Sequence, residues 1–244
     1  MHFKIKSCLI LALVFCFSKK TISQGNVFQN NNLVAGYTVG NNKLALPSYN
    51  DNGEYEGNPY FSKDWIKGSV KTTDNQEFSN KLLFMYDKVA GDLYFKKQDS
   101  ATIMEADKNK IYSFTLITDK PHTFVRSEFY SVDYPGKFFE ALILDDKRYS
   151  LLKYTITSFQ KPVTSKASQA MMESLSPGKY VDKVVYFIVL NKALQPVELK
   201  KKSFVKALNL SDAEKAEAYI KNNNGNFNES YVISMLNDIN GSAQ

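Results

Sequence analysis

Hydrolytic triads and zinc sites are built largely from histidine and cysteine, and this chain has two of each. His2, Cys8 and Cys16 all fall within the first 23 residues. Past that point His122 is the one histidine and no thiol is left. His122 lies in Asp119-Lys120-Pro121-His122, which reads as a turn between strands rather than as the setting of a general base. Catalytic residues: none are assigned; metal ligands: none; cofactors: none.

Carboxylate chemistry is the next class. Glycosidases hold two carboxyls about 5–9.5 Å apart across a cleft. Asp145-Asp146 is an adjacent pair whose side chains point apart along the chain, and it reads as a solvated hairpin turn. Glu128 and Glu140 are distant acids that nothing in the sequence pairs. Asn222-Asn223-Asn224-Gly225 resembles a calcium loop only superficially. With Gly225 at position 6 of the EF-hand frame, positions 1 and 12 become Ile220 and Tyr231, so both obligatory acids are missing. The phosphate-binding patterns G-x-x-x-x-G-K-[ST] and G-x-G-x-x-G are absent, as is the nucleophile elbow G-x-S-x-G.

Two non-catalytic features remain. Lys200-Lys201-Lys202, with Lys206 nearby, splays around a helix start and reads as a solvated surface rather than a phosphate or headgroup patch. The 17 Phe and 15 Tyr suit the packing of strand cores. Tyr55 and Tyr60, in or beside a polar stretch, and the single tryptophan, Trp65, are the weak candidates for surface binding.

The start of the chain predicts where these residues operate. Lys4 and Lys6 precede ten apolar residues, Cys8 to Phe17, and Thr21-Ile22-Ser23 offers small residues for cleavage after Ser23. That is the order of a secretory signal peptide over 1–23. The apolar run is too short to span a bilayer, which takes about 20 residues. Lipid attachment at Cys16 is disfavoured because bulky Phe15 precedes it. The expected product is exported, periplasmic or extracellular, and not an integral membrane protein. Four of the 31 basic residues leave with the signal, so 27 remain against 25 acidic residues, a net of +2. The basic pI therefore does not argue for nucleic acid. About 221 residues remain, enough for a hydrophobic core without disulfides.

Residues 24–58 form a polar leader rich in Asn and Gly, with one short strand near Leu33 to Val39. Residues 59–199 form the β domain. Aromatic and β-branched runs at 67–73, 81–87, 92–98, 101–105, 111–118, 123–131, 137–145, 148–159 and 181–190 predict an antiparallel meander. Tyr112, Phe114 and Leu116 alternate with polar residues, as on a half-buried strand. Val184 to Leu190 is apolar throughout, which predicts a central strand covered on both faces. Residues 160–180 read as a long hairpin insertion, with Met171-Met172 as a short helical lid or loop packing. A helical tail follows over 200–240. It has a short helix at 200–208, a capping box at Ser211 and Glu214, and a last helix capped by Asn228. Val232, Met235, Leu236 and Ile239 give that last helix one apolar stripe. The fold class is α+β, mainly antiparallel β as a meander sheet or incomplete barrel, with two or three C-terminal helices.

One stretch carries a resemblance. Gly57-Asn58-Pro59-Tyr60-Phe61 is followed by Asp64-Trp65, Gly68 and Val70, then by Leu82-Leu83-Phe84-Met85-Tyr86 and Asp92-Leu93-Tyr94-Phe95. This resembles a group of uncharacterised exported bacterial proteins with a G-x-P-Y/F opening, a D-W-x-x-G-x-V strand start and a lysine-rich helical tail. The resemblance implies export and a β-rich fold, and transfers no functional residue. The expected role is non-catalytic, binding or envelope-accessory. Three alternatives stand beside it: a carrier of an apolar ligand in a partly open barrel, a surface protein that binds a partner by strand addition, and a carboxylate-based enzyme. The partner is then a protein or a small apolar ligand.

Overall fold

A computed structural model describes residues 33–37, 55–161 and 178–241. The predicted signal peptide, most of the polar leader and residues 162–177 of the hairpin insertion, Met171 and Met172 included, lie outside the described residues.

Among the described residues, thirteen strands form one open, antiparallel-dominated sheet, and three C-terminal helices follow it. The strands are β1 (Val34–Tyr37), β2 (Tyr55–Glu56), β3 (Ile66–Thr72), β4 (Glu77–Phe78), β5 (Leu82–Asp87), β6 (Asp92–Lys97), β7 (Met104–Ala106), β8 (Ile111–Ile117), β9 (Pro121–Arg126), β10 (Phe138–Ile143), β11 (Ser150–Gln160), β12 (Gly178–Leu190) and β13 (Ala193–Val197). The helices are α1 (Lys201–Lys206), α2 (Leu210–Asn222) and α3 (Glu229–Gly241). The main path runs β1-β7-β6-β5-β3-β8-β9-β10-β11-β12-β13; β4 pairs with β3, and β2 pairs with β12 in parallel. β1 and β2 thus belong to the sheet, although the polar leader was expected to precede the β domain.

Alternation along the strands sorts the side chains into three clusters. One lies under β3–β9 and is filled by rings. Phe114 stacks on Phe124 with centroids 4.7 Å apart, and Tyr86 and Phe138 close around them. The others lie on opposite faces of β11 and β12. Leu151 and Ile188 face the helices, whereas Leu152, Phe187 and Val189 join Phe139 and Val125 on the other side. The apolar run 184–190 is therefore covered on both faces over Phe187–Val189, while Val184 at its start is exposed.

Turn chemistry sets the register. Gly91 takes φ 74° between β5 and β6, and Asn191 and Lys192 take φ 51° and 64° between β12 and β13. These left-handed residues suit tight hairpins. β13 was not expected, because Pro196 interrupts its pattern. It is the last strand on its side of the sheet, where proline is tolerated.

The helical tail docks as the apolar stripe predicts. Val232, Met235, Leu236 and Ile239 are all fully buried. Asn228 caps α3 by accepting from the Tyr231 N–H. The cap of α2 is Asn209 rather than Ser211. Its Oδ1 accepts from the Asp212 N–H at 2.9 Å, so the helix starts one residue ahead of Ser211.

Candidate functional site

The three aromatic candidates do not form one site. Tyr55, on β2, is 43% exposed and sits edge-on to Tyr180 with centroids 5.2 Å apart. Tyr60 is half-buried and bridges to Asp87. Burial, then the charge of Asp87, pushes its hydroxyl pKa upward, with Tyr55 and Tyr180 adding to the effect. Tyr55, Tyr60 and Tyr180 are therefore neighbours. Trp65 stands apart just before β3, where the Lys96 ammonium lies 5.0 Å from its ring.

His122 is not in a turn. It is the second residue of β9, opposite Leu116 on β8. Its Nδ1 lies 2.6 Å from Glu140 Oε1 on β10, and Phe61 packs edge-on against its ring. The other Glu140 oxygen takes the Lys153 ammonium at 3.2 Å, and the same ammonium reaches Glu229 on α3 at 3.1 Å. Tyr186 donates to Glu229 at 2.9 Å. Burial depresses the Lys153 pKa, and the two glutamates more than reverse this, so it ends above the usual lysine value. This chain of charges crosses β9, β10, β11 and β12 and ends on α3. Each carboxylate faces a cation, so the arrangement clamps the last helix to the sheet.

The other acids weighed as carboxylate candidates serve local structure. Asp145 Oδ1 accepts from the Lys147 and Arg148 N–H groups and holds the turn between β10 and β11. Glu128 accepts from Arg126 and from the Gly136 N–H. The structure does not bring Glu128, Glu140 and the Asp145-Asp146 pair together. Among the described residues no group of three or more His, Cys, Asp or Glu side chains converges to hold a metal ion. The described residues include no cysteine and hence no disulfide. Among them, no helix is long and apolar enough to cross a membrane.

An apolar recess lies on the helical tail. A groove of about 720 Å³ runs between α1 and α2. Val205, Leu208, Ala213 and Ile220 form its floor, and Leu210 stands 81% exposed beside it. Lys201, Lys202, Lys206 and Lys221 ring the groove, against a single acid, Glu217. The lysine run flagged in the sequence is thus the rim of an apolar groove. Two of its members, Lys201 and Lys202, line that groove, whereas Lys200 pairs with Glu198 at 2.8 Å. Leu210 carried no sequence signal, because one apolar residue at a helix start is unremarkable until its neighbours are placed.

No family model, curated protein or solved structure matches the chain.

Proposed function

We propose that the chain is an exported, non-catalytic binding protein that takes an anionic amphiphile, a fatty acid, in the α1–α2 groove. The observation that carries this reading is Leu210, a large apolar side chain 81% exposed at an apolar groove rimmed by four lysines. Water contact at such a surface is unfavourable by roughly 25 cal/mol per Å² of apolar area. An acyl chain on the floor relieves that cost, and a carboxylate head meets the lysine rim. The volume lies within the range of about 300–1,000 Å³ common for small-molecule sites. The expected signal peptide and the resemblance to exported bacterial proteins support placement outside the cytoplasm.

Titration of laurate below its micelle concentration, followed calorimetrically, tests the reading. One saturable site is expected, weakened by salt and weakened at least tenfold by Leu210→Asp or by Lys202→Glu with Lys206→Glu. Absence of saturable heat, or uptake that neither variant changes, overturns it.

A second reading has one observation behind it. On its outer edge β12 pairs with β2 at Gly178 and Lys179 and with β13 from Tyr186 onward. Among the described strands nothing pairs with Val181–Val185 on that edge. An extended partner segment added there would make the contact of a strand-addition protein. Protection of the Val181–Val185 amides from hydrogen exchange on partner binding tests it.

A further inference from the structure

A second recess, of about 430 Å³, lies at the opposite end of the β11–β12 hairpin from the Tyr55 cluster. Its walls are the turn between β10 and β11, the Asn191-Lys192 turn, and an aromatic pair. Tyr112 and Phe129 form that pair. Each is 43% exposed, and their centroids are 4.7 Å apart. Tyr55 is the one other aromatic side chain left this open among the described residues.

The polar lining is balanced. Asp145, Asp146, Arg148, Lys192 and Asn191 all line it. Asp145 and Arg148 are held in place. The Asp145 carboxylate caps its own turn, and Arg148 Nη2 is anchored by Asp212 at 3.3 Å and the Ile239 carbonyl at 3.1 Å. Arg148 Nε is buried and has no hydrogen-bond partner. A buried donor of this kind usually has a partner. Tyr130 also lines the recess, and burial, then Tyr112 and Asp146, pushes its hydroxyl pKa upward.

We infer that this pocket binds a neutral pyranose sugar. Two acids and two bases cancel, so the site selects no net charge. It does offer fixed acceptors and fixed donors side by side. Sugar hydroxyls donate and accept at one atom and satisfy both kinds of group. The C–H face of a pyranose packs on an aromatic face, which the exposed side of Phe129 supplies; Tyr112 is tilted 37° against it and holds the Lys71 ammonium 5.4 Å from its own ring centroid. This site is separate from the helical groove and does not depend on it.

Ligand-observed and protein-observed NMR with methyl glycosides of glucose, galactose, mannose and N-acetylglucosamine tests the inference. At least one should saturate in the millimolar range and shift the ring protons of Tyr112 and Phe129. Phe129→Ala should weaken it at least tenfold and Asp146→Asn severalfold. Tyr112→Leu, which keeps apolar bulk but removes the flat face, should also weaken it, while Leu210→Asp in the helical groove leaves it unchanged. Failure of all four glycosides to perturb the spectrum overturns the site. So does binding that survives Phe129→Ala and Tyr112→Leu in folded protein. Tighter binding of glucuronate or glucosamine than of the neutral sugars overturns the neutral assignment.

Discussion

Asn240, near the C-terminal end of α3, pairs with both backbone groups of Tyr149 ahead of β11. The Tyr149 N–H donates to Asn240 Oδ1 at 3.2 Å, and Asn240 Nδ2 donates to the Tyr149 carbonyl at 2.9 Å. One side chain thus acts as a missing strand residue. The Tyr149 ring completes the link, because its hydroxyl accepts from the Asn209 N–H at the start of α2. Two helices are tied to the sheet through one residue.

Replacing Asn240 with Ala should destabilise the protein by about 1–3 kcal/mol, since two half-buried backbone groups lose partners. Asn240→Asp keeps the acceptor but loses the donor, and should cost a large part of the same amount. Urea denaturation with unchanged m-value checks both; a loss under about 0.5 kcal/mol would show that water replaces the amide.

Asp212 gives the helical layer an acid-sensitive anchor. Its carboxylate is buried. Burial pushes its pKa up, but Lys215, Asn209 and Arg148 outweigh this and hold it below the ordinary 3.8. A group depressed in the folded state stabilises the fold above its unfolded pKa and loses that contribution as pH falls through the folded value. Stability should therefore drop below about pH 4, and Asp212→Asn should flatten the drop while lowering stability at pH 7 by about 3 kcal/mol. Thermal melts between pH 7 and 2.5 measure it; parallel curves for the two proteins would refute the assignment.

Gly68 permits a close approach within the sheet. A Cβ there would lie 2.2 Å from the Thr115 carbonyl oxygen on β8 and 3.2 Å from the Phe84 ring. Both obstacles are core groups, and one is backbone. Gly68→Ala should cost at least about 2 kcal/mol through overpacking. Gly136 has nothing within 4 Å of its virtual Cβ, although its φ is 66°, so Gly136→Ala meets only backbone strain of about 1 kcal/mol. Chemical denaturation of the two variants should rank them in that order.

Most of the sheet is legible in the sequence because its long strands carry β-branched and aromatic runs between polar turns. What escapes is what depends on register. Glu140 pairs across to Phe124 on β9, which puts His122 diagonally within reach. No spacing within either segment announces that contact. β13 escapes because Pro196 reads as a strand breaker until the strand is known to lie at an edge. The helical groove escapes because Lys201 and Lys202 on α1 and Lys221 on α2 are far apart in sequence and meet only once both helices dock. The docking stripe of α3, by contrast, is plain, because a buried helix face obeys one local period.

Lys153 is the hinge of the charge network that ends on α3 and tests it from the alkaline side. Its ammonium faces Glu140 and Glu229, which lift its pKa above 10.5 despite burial. A raised lysine contributes stability below its unfolded pKa and loses it as pH rises through the folded value, so the wild type should weaken above about pH 10.5. Lys153→Met removes the cation and leaves two carboxylates near each other under α3. That should cost about 1–3 kcal/mol at pH 7, discounted for the partial exposure of Glu229. Adding Glu229→Gln to Lys153→Met should recover part of the loss at pH 7, whereas two independent structural losses would simply add. Thermal melts of the wild type, the single variants and the double variant at pH 7, and of the wild type from pH 9 to about 11.5, decide between these outcomes.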